Sequence, residues 1–197
     1  MREFRQHLDK ASFDALNVLL GSKIQSLFSP DCDVDAGSTL ITVPSVSIPI
    51  GLERFVVLDN DWADTPEEWI NYFFLSARVA NTPKDIFYNP NPGPGGTNYK
   101  SDHLSLHLGP TASVEKIDVL CAAETGSEES VSYDAGLLIA RRDGLRVAIV
   151  RQQSIAAFLQ IAHTEQDIAQ VTAGLDVRCT VAGHNNSFKP RPLRGPA

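Results

Sequence analysis

The spacing of apolar residues changes several times along this chain, and each change predicts a different element. Within Arg2–Leu20 the apolar residues recur at helical spacing, with Phe13 and Leu16 on one stripe. This periodicity predicts a helix over the segment. Ser12 is the expected N-cap of its stronger half, and Gly21 is the expected stop.

The next segments are predicted to be strands. Ser38–Ile50 is rich in β-branched residues and is interrupted by Pro44 and Pro49. Because proline cannot donate to a sheet ladder, this stretch is expected to be an edge strand or a bulged strand. The short apolar run within Arg54–Leu58 predicts a more central strand.

A second helix is predicted over Thr65–Asn81. Thr65, Pro66 and Glu68 stand in the order of a helix start, with a capping threonine, a proline at the first position and a glutamate that completes a capping box. The apolar residues that follow fit a helical face: Trp69, Ile70, Phe73, Phe74 and Ala77.

A proline- and glycine-rich loop, Pro83–Lys100, separates this region from a second, β-rich half. Loops of this length are uncommon as idle connectors, so the segment is either mobile or functional. Strands are predicted for the runs that follow it: His103–Leu108, Val114–Ala122, Ala135–Ala140, Leu145–Val150 and Leu175–Val181.

Two local signals stand out in this second half. Asp143 and Gly144 lie between two apolar runs and predict a β-hairpin. Thr164 and Asp167 predict a capped helix that ends at Gly174.

The order of predicted elements favours the α+β class. We expect a mainly antiparallel curved sheet or partial β-barrel, with two or three helices packed on one side. Residues 1–183 are predicted to form a single domain. Residues 184–197 form a basic, proline-rich tail that is expected to be flexible and that also has the composition of a polyproline II ligand.

The composition narrows the classes of partner. The 197 residues carry a formal net charge of −7, with a sequence pI near 5.1. General nucleic-acid binding is therefore not expected, because it needs a basic footprint. An acidic body suits solubility or a basic protein partner, and a second copy of the chain is a further candidate partner.

The cellular location is predicted from the absence of sequence signals for secretion or membrane insertion. The first residues contain no apolar segment typical of a signal peptide, and no apolar run approaches the length of a membrane span. Three widely spaced cysteines, Cys32, Cys121 and Cys179, favour a reducing compartment. We therefore expect a cytoplasmic protein that does not bind a membrane.

The best candidate for chemistry is the alternating segment His103–His107. On a strand, His103, Ser105 and His107 would share one face. The two histidines would stand ~13 Å apart, too far to bind one metal ion. They could instead work beneath the Pro83–Lys100 loop, with an acid such as Asp59 or Asp102. The alternative is an ordinary solvated strand face.

A second candidate follows the strand that ends near Leu58. Asp59, Asp61 and Asp64 could together hold a hard cation through carboxylate oxygens. The alternative is that these acids end a strand and favour the N-terminus of the helix that follows. The second interpretation accounts for all three, so no metal and no cofactor is predicted.

No motif for a nucleophilic enzyme or for phosphate binding is present in the sequence. The leading hypothesis is therefore a non-enzymatic, protein-binding module, such as an acidic inhibitor, an immunity-type protein or a subunit of a larger assembly. The alternative is a small-molecule hydrolase or isomerase that uses His103, His107 and Asp59. The residues expected to contact a protein partner are aromatic: Trp62, Phe87, Tyr88 and Tyr99.

Overall fold

A computed structural model of the protein describes residues 1–34, 37–87, 103–154 and 156–183, and these form eleven β-strands and two α-helices. Strands hold 58% and helices 10% of the described residues. The predicted α+β class with two or three helices on one side is therefore wrong, whereas the predicted antiparallel sheet is confirmed. The helices are α1 (Lys10–Leu19) and α2 (Glu165–Val171). The strands are β1 (Arg2–Gln6), β2 (Lys23–Ser29), β3 (Ile41–Val43), β4 (Ser45–Gly51), β5 (Arg54–Asp64), β6 (Asn71–Ala80), β7 (Leu104–Thr125), β8 (Glu129–Arg141), β9 (Arg146–Arg151), β10 (Leu159–Ala162) and β11 (Asp176–Ala182).

All eleven strands belong to one sheet. Its neighbouring strands follow the order β3, β10, β9, β8, β7, β2, β4, β5, β6, while β11 pairs with β7 and β1 pairs with β8. Among the paired strands of the described chain, only β1 and β8 run parallel.

Strand β7 links the two halves of the sheet. Its C-terminal part pairs with β8 and β11, and its N-terminal part pairs with β2. The strand turns a corner at residues 108–111, where its register against β2 shifts and Gly109 has a φ of 80°. A glycine suits this corner because other residues rarely adopt such a backbone.

Arg141 holds this corner in place. Its side chain is fully buried and donates to the carbonyl oxygens of Leu108 at 3.0 Å and Pro110 at 2.6 Å. It also forms a two-point ion pair with Asp143, one arm of which measures 3.1 Å. The guanidinium therefore satisfies two carbonyl groups that the irregular strand leaves without sheet partners.

The sheet curls around one main hydrophobic core. This core takes buried residues from α1 and from every strand except β1. Helix α1 contributes Ala15, Leu16 and Leu19 to it. Burial of this apolar surface is the main stabilising contribution, at roughly 25 cal/mol for each Å² removed from water.

The two helices pack on different faces of the sheet. On β9, Val147 and Ile149 face the main core, while Ala148 and Val150 pack against Ile168 of α2 in a second cluster. Alternate residues of a strand point to opposite faces, so α2 covers the outer face. The prediction that the helices pack on one side is wrong for this reason.

The helix predicted over Thr65–Asn81 is a turn followed by strand β6. The backbone amides of Thr65 and Ile70 bond across the turn, the first to the Ile70 carbonyl and the second to Thr65 Oγ1, both at 3.1 Å. Phe73 and Leu75 then point inward at strand spacing. Thr65 thus closes the turn between β5 and β6, and pairing with β5 overrides the helical periodicity.

The first part of the first predicted helix is a strand. Arg2–Gln6 forms β1 alongside β8, and α1 begins only at Lys10. The N-cap is Asp9, whose carboxylate accepts from the amide of Ser12 at 2.8 Å, and the predicted cap at Ser12 is wrong. Gly21, at a φ of 79°, follows the end of α1 as predicted.

Candidate functional site

One part of the sheet consists of β2, β4, β5, β6 and the N-terminal part of β7. Its outer face carries the histidines and the acid predicted for catalysis. Phe28, Phe55 and Val57 form a small buried cluster on this face with Ile86, which follows β6. Ser105 lies opposite Phe28. By strand alternation, His103 and His107 share the face of Ser105, and Asp59 shares the face of Val57.

Within this face Asp59 is held by two cations. Its carboxylate receives Arg78 Nη1 at 2.9 Å and Lys84 Nζ at 2.7 Å, and its side chain is only 20% exposed. The amide of Lys84 also donates to Ser47 Oγ at 2.9 Å. These contacts fasten the segment after β6 to the sheet, and they occupy Asp59 as an ion-pair partner.

The two histidines lie in different surroundings. His103 is half-buried and meets the Phe28 ring edge-on, with 6.0 Å between ring centroids. His107 is exposed. The pairing register places Asp59 on the same row as His103 but three strand spacings away, which is ~14 Å. The described residues therefore do not bring Asp59 within hydrogen-bonding reach of either imidazole, and a catalytic role for this set stays a prediction.

The aromatic residues predicted to bind a partner are placed only in part. Phe87 is 59% exposed and Trp62 is 44% exposed. Tyr88 and Tyr99 lie outside the described residues, as do most of the Pro83–Lys100 loop and the tail from residue 184.

The alternative cation site at Asp59, Asp61 and Asp64 is not assembled. Asp64 accepts from the side-chain amide of Asn71 at 3.0 Å, and Asp61 accepts from the backbone amide of Trp62 at 2.8 Å. Within the ranges that the structure describes, no group of three or more His, Cys, Asp or Glu residues is placed to hold a metal ion.

The turn between β5 and β6 presents a feature that periodicity did not reveal. Trp69 is 72% exposed and has a φ of 56°, in the left-handed region that bulky residues rarely adopt. We call Asp61, Trp62, Asp64, Glu67 and Trp69 the hairpin tip. From Asp61 to Asn71 the chain carries four acidic residues and no basic ones.

Two glutamates fasten the hairpin tip to the β7–β8 turn. Glu68 accepts from the backbone amides of Ser127 at 2.9 Å, Glu128 at 3.0 Å and Glu129 at 2.7 Å. In return, Glu129 accepts from the amides of Glu68 at 3.0 Å and Glu67 at 3.2 Å. Each turn therefore supplies a carboxylate to the amides of the other.

The pKa values of both carboxyl groups reflect this arrangement. The Ser127 hydroxyl, followed by the amides of Glu129, Glu128 and Ser127, lowers the pKa of Glu68 to about 2. Burial opposes ionisation of Glu129, yet the amides of Glu68 and Glu67, the Thr65 hydroxyl and the charge of Arg2 lower its pKa overall. Both groups are therefore charged at neutral pH.

A third polar cluster, at the end of β9, escaped the sequence analysis. Tyr133 is fully buried; its hydroxyl donates to Glu124 at 3.0 Å and accepts from Arg151 Nη2 at 2.8 Å. Burial, reinforced by Glu124 and opposed by Arg151, raises the pKa of Tyr133 to about 12. Arg151 ends an apolar run, where an arginine is ordinarily exposed, so its burial had no signal in the sequence.

Cys121 and Cys179 are buried, and burial raises the pKa of both thiols. A thiol with a raised pKa stays protonated at neutral pH and is a weak nucleophile. Cys32 is exposed.

Comparisons with protein-family models, with curated proteins and with solved structures found no match to this chain. Within the described residues, no helix combines the length and the apolar character needed to cross a membrane.

Proposed function

We propose that this protein is a non-enzymatic binding module of the cytoplasm that binds a basic protein partner through the hairpin tip. The observation that carries the proposal is Trp69, a large aromatic residue held 72% exposed on a left-handed backbone. Strained residues of this kind persist only where their surroundings fix them, and they cluster at functional sites.

The rigidity of the hairpin tip supports this role. The hydrogen bonds between Thr65 and Ile70 close the turn, and Glu68 anchors it to the amides of residues 127–129. A side chain that is already ordered loses little entropy when it is bound. Tryptophan is also among the residues that most often dominate binding energy at interfaces.

The charge of the hairpin tip supports a basic partner. Asp61 and Glu67 are exposed beside Trp62 and Trp69. A net charge of −7 adds long-range attraction toward a positively charged surface. An inhibitor, an immunity-type protein or a subunit of an assembly would each use such a surface.

The alternative, a small-molecule hydrolase or isomerase at His103 and His107, has weaker support. It needs an acid near an imidazole. Asp59 is paired with Arg78 and Lys84, and Asp102, the other predicted acid, lies outside the described residues. Substrate turnover that disappears in both His103→Ala and His107→Ala would favour this alternative.

The test is affinity capture from a lysate of the source organism at low and moderate salt, with wild type and Trp69→Asn as bait. Asparagine tolerates the left-handed backbone, so the variant removes the ring while keeping the turn. We expect a stoichiometric, salt-sensitive partner with wild type and its loss with Trp69→Asn.

The matched control is Leu52→Asn, because Leu52 is 74% exposed at a different turn of the chain. It should capture the partner as wild type does. Equal capture by Trp69→Asn would contradict the proposed surface, and a bait without partner would contradict the function. Light scattering of wild type and Trp69→Asn distinguishes the case in which the partner is a second copy of the chain.

A further inference from the structure

A cavity of about 420 Å³ opens between the sheet and the C-terminal end of α2. Its volume lies within the range of small-molecule sites. The lining residues are of two kinds. Apolar ones come from β7, from β9, from the end of α2 and the segment after it, and from Leu40, and the polar ones are Glu124, Arg151, Gln153, Gln160 and Gln170.

Arg151 is the group that makes this cavity a built site. Its side chain is only 9% exposed, and within the described residues its buried Nε has no hydrogen-bond partner. A buried donor without a partner costs on the order of 1–3 kcal/mol, and more when it is charged. That nitrogen has almost no accessible surface, so Arg151 acts on a ligand in the cavity through the charge of its guanidinium.

The guanidinium is also fixed in position. It lies over the Tyr133 ring at 5.1 Å and donates to the Tyr133 hydroxyl. With the Gln153 amide oriented so that its oxygen faces the guanidinium, that oxygen accepts from Nη1 at 3.1 Å and from Nη2 at 3.2 Å. These three contacts hold the positive charge in the wall before any ligand arrives, which reduces the cost of binding.

A negatively charged side chain, that of Glu124, lies beside the guanidinium of Arg151. The Glu124 carboxylate lies 3.9 Å from Arg151 Nη2, and its side chain is 38% exposed, so it remains open to the cavity. The last turn of α2 also lines the cavity, and a helix presents the negative end of its dipole there.

We propose that the cavity binds a small zwitterion of the α-amino-acid type, with its carboxylate at Arg151 and its ammonium group at Glu124. A ligand with only negative charge would face Glu124 and the end of α2. A ligand with only positive charge would face Arg151. A ligand whose carboxylate and ammonium group are attached to the same carbon satisfies both sides, and the glutamine amides offer neutral donors and acceptors to the rest of the ligand.

This site uses residues other than the hairpin tip and goes beyond the proposed partner binding. The two proposals fail separately, because loss of amino-acid binding leaves the capture experiment with Trp69→Asn unaffected.

The experiment is thermal unfolding and calorimetric titration of the full chain with each protein amino acid in turn. The best one is then compared with its carboxamide, which keeps only the ammonium group, and with its N-acetyl form, which keeps only the carboxylate. We expect a saturable rise in Tm with the free amino acid and at least a ten-fold weaker Kd for both capped forms. Inorganic phosphate is expected to give no rise.

Variants locate the ligand. Glu124→Gln keeps the acceptor for Tyr133 and removes the charge, and Gln170→Ala changes only an exposed residue of α2. Both variants should bind the amino acid more weakly, and Glu124→Gln should raise Kd by about ten-fold. Glu115→Gln, an exposed change on β7 as well, should leave Kd unchanged.

Three results would overturn the proposal: no amino acid raises Tm, a capped form or phosphate binds as tightly as the free amino acid, or neither variant weakens binding. Arg151→Gln serves as a further variant only if its unfolding transition stays cooperative.

Discussion

Glu68 and Glu129 each accept hydrogen bonds from the backbone amide of the other residue and from that of the residue before it. The β5–β6 turn and the β7–β8 turn are far apart in the sequence, yet this reciprocal pair makes them one rigid surface. Arg2 joins the same surface, because its amide donates to the Glu128 carbonyl at 2.6 Å.

We predict that Glu68→Gln lowers Tm by several degrees at pH 7, because an amide replaces one acceptor oxygen with a donor that faces other donors. The folded pKa of Glu68 is about 2, below its ordinary value of 4.5. A depressed pKa stabilises the fold above pH 4.5, and that stabilisation is lost as the pH falls toward 2. The Tm gap between wild type and variant should therefore narrow between pH 4.5 and pH 2, as measured by thermal unfolding.

Glu67→Gln is the control for this experiment, since the exposed carboxylate of Glu67 makes, within the described residues, a single long ion pair to Arg2, at 3.6 Å. It should stay close to wild type at pH 7. A Tm gap for Glu68→Gln that is the same at pH 7 and pH 2 would contradict the charged role of Glu68.

Gly126 leaves room for the Glu68 carboxylate. A Cβ at position 126 would lie 2.8 Å from the carboxylate carbon and closer still to Oε2. We predict that Gly126→Ala lowers the free energy of unfolding, while in a Glu68→Ala background the same change costs little. Urea unfolding of the two single variants and the double variant measures this coupling.

Gly183→Ala is the matched control, because a Cβ there meets nothing within 4 Å. It should leave stability unchanged. If Gly126→Ala and Glu68→Ala were additive, the proposed overlap would be absent.

Arg141→Gln should lower the free energy of unfolding by about 2–4 kcal/mol, because it leaves the Leu108 and Pro110 carbonyls without their donor in a buried corner. Denaturant unfolding measures the loss. Arg142→Gln changes the exposed neighbour and should stay within about 0.5 kcal/mol of wild type. Equal stability of the two variants would show that the corner does not depend on Arg141.

The phenol of Tyr133 should resist ionisation. Its folded pKa of about 12 exceeds the ordinary value of 10, so the stabilisation it provides is complete below pH 10 and is lost as the pH rises toward 12. We predict that Tyr133→Phe is less stable than wild type at pH 8 and that the Tm gap narrows between pH 10 and pH 12. Burial also raises the pKa of Tyr72, so the ultraviolet titration of wild type should show a phenol that ionises near pH 12 and is absent from Tyr133→Phe. Persistence of the transition near pH 12 in the variant would refute the assignment.

Local chemistry predicted the elements whose signals are complete within a few residues. The hairpin at Asp143 and Gly144 joins β8 to β9, and Thr164 caps α2 by accepting from the amide of Asp167 at 3.1 Å. In both cases the turn or cap residue interacts with its own neighbours. The tertiary structure therefore leaves both the hairpin and the helix start as the local sequence predicts them.

The segment after Thr65 shows why other elements were mispredicted. Trp69, Phe73 and Ala77 recur at helical spacing, while Phe73, Leu75 and Ala77 recur at strand spacing, so the sequence fits both. The choice is made by β5, which pairs with the whole of Asn71–Ala80. A partner strand brought in by the fold is invisible to a local pattern.

The candidate sites depend on the same kind of information. The capping-box pattern predicts that Glu68 bonds within its own turn, yet its carboxylate accepts from the backbone amides of residues 127–129. Arg151 stands at the end of an apolar strand, and only the neighbouring Tyr133 on β8 shows that it is buried. Both residues take their roles from contacts that the chain makes across long sequence separations.

The shared strand β7 has a consequence for how the molecule comes apart. Its two parts supply hydrogen-bonding partners to β8 and β11 on one side of the corner and to β2 on the other. Each half pairs with its own part of β7, but both halves bury residues in the same main core, so melting of one half would expose core residues of the other. The chain is thus built to unfold in one cooperative step, with its slowest-exchanging amides expected along β7 itself.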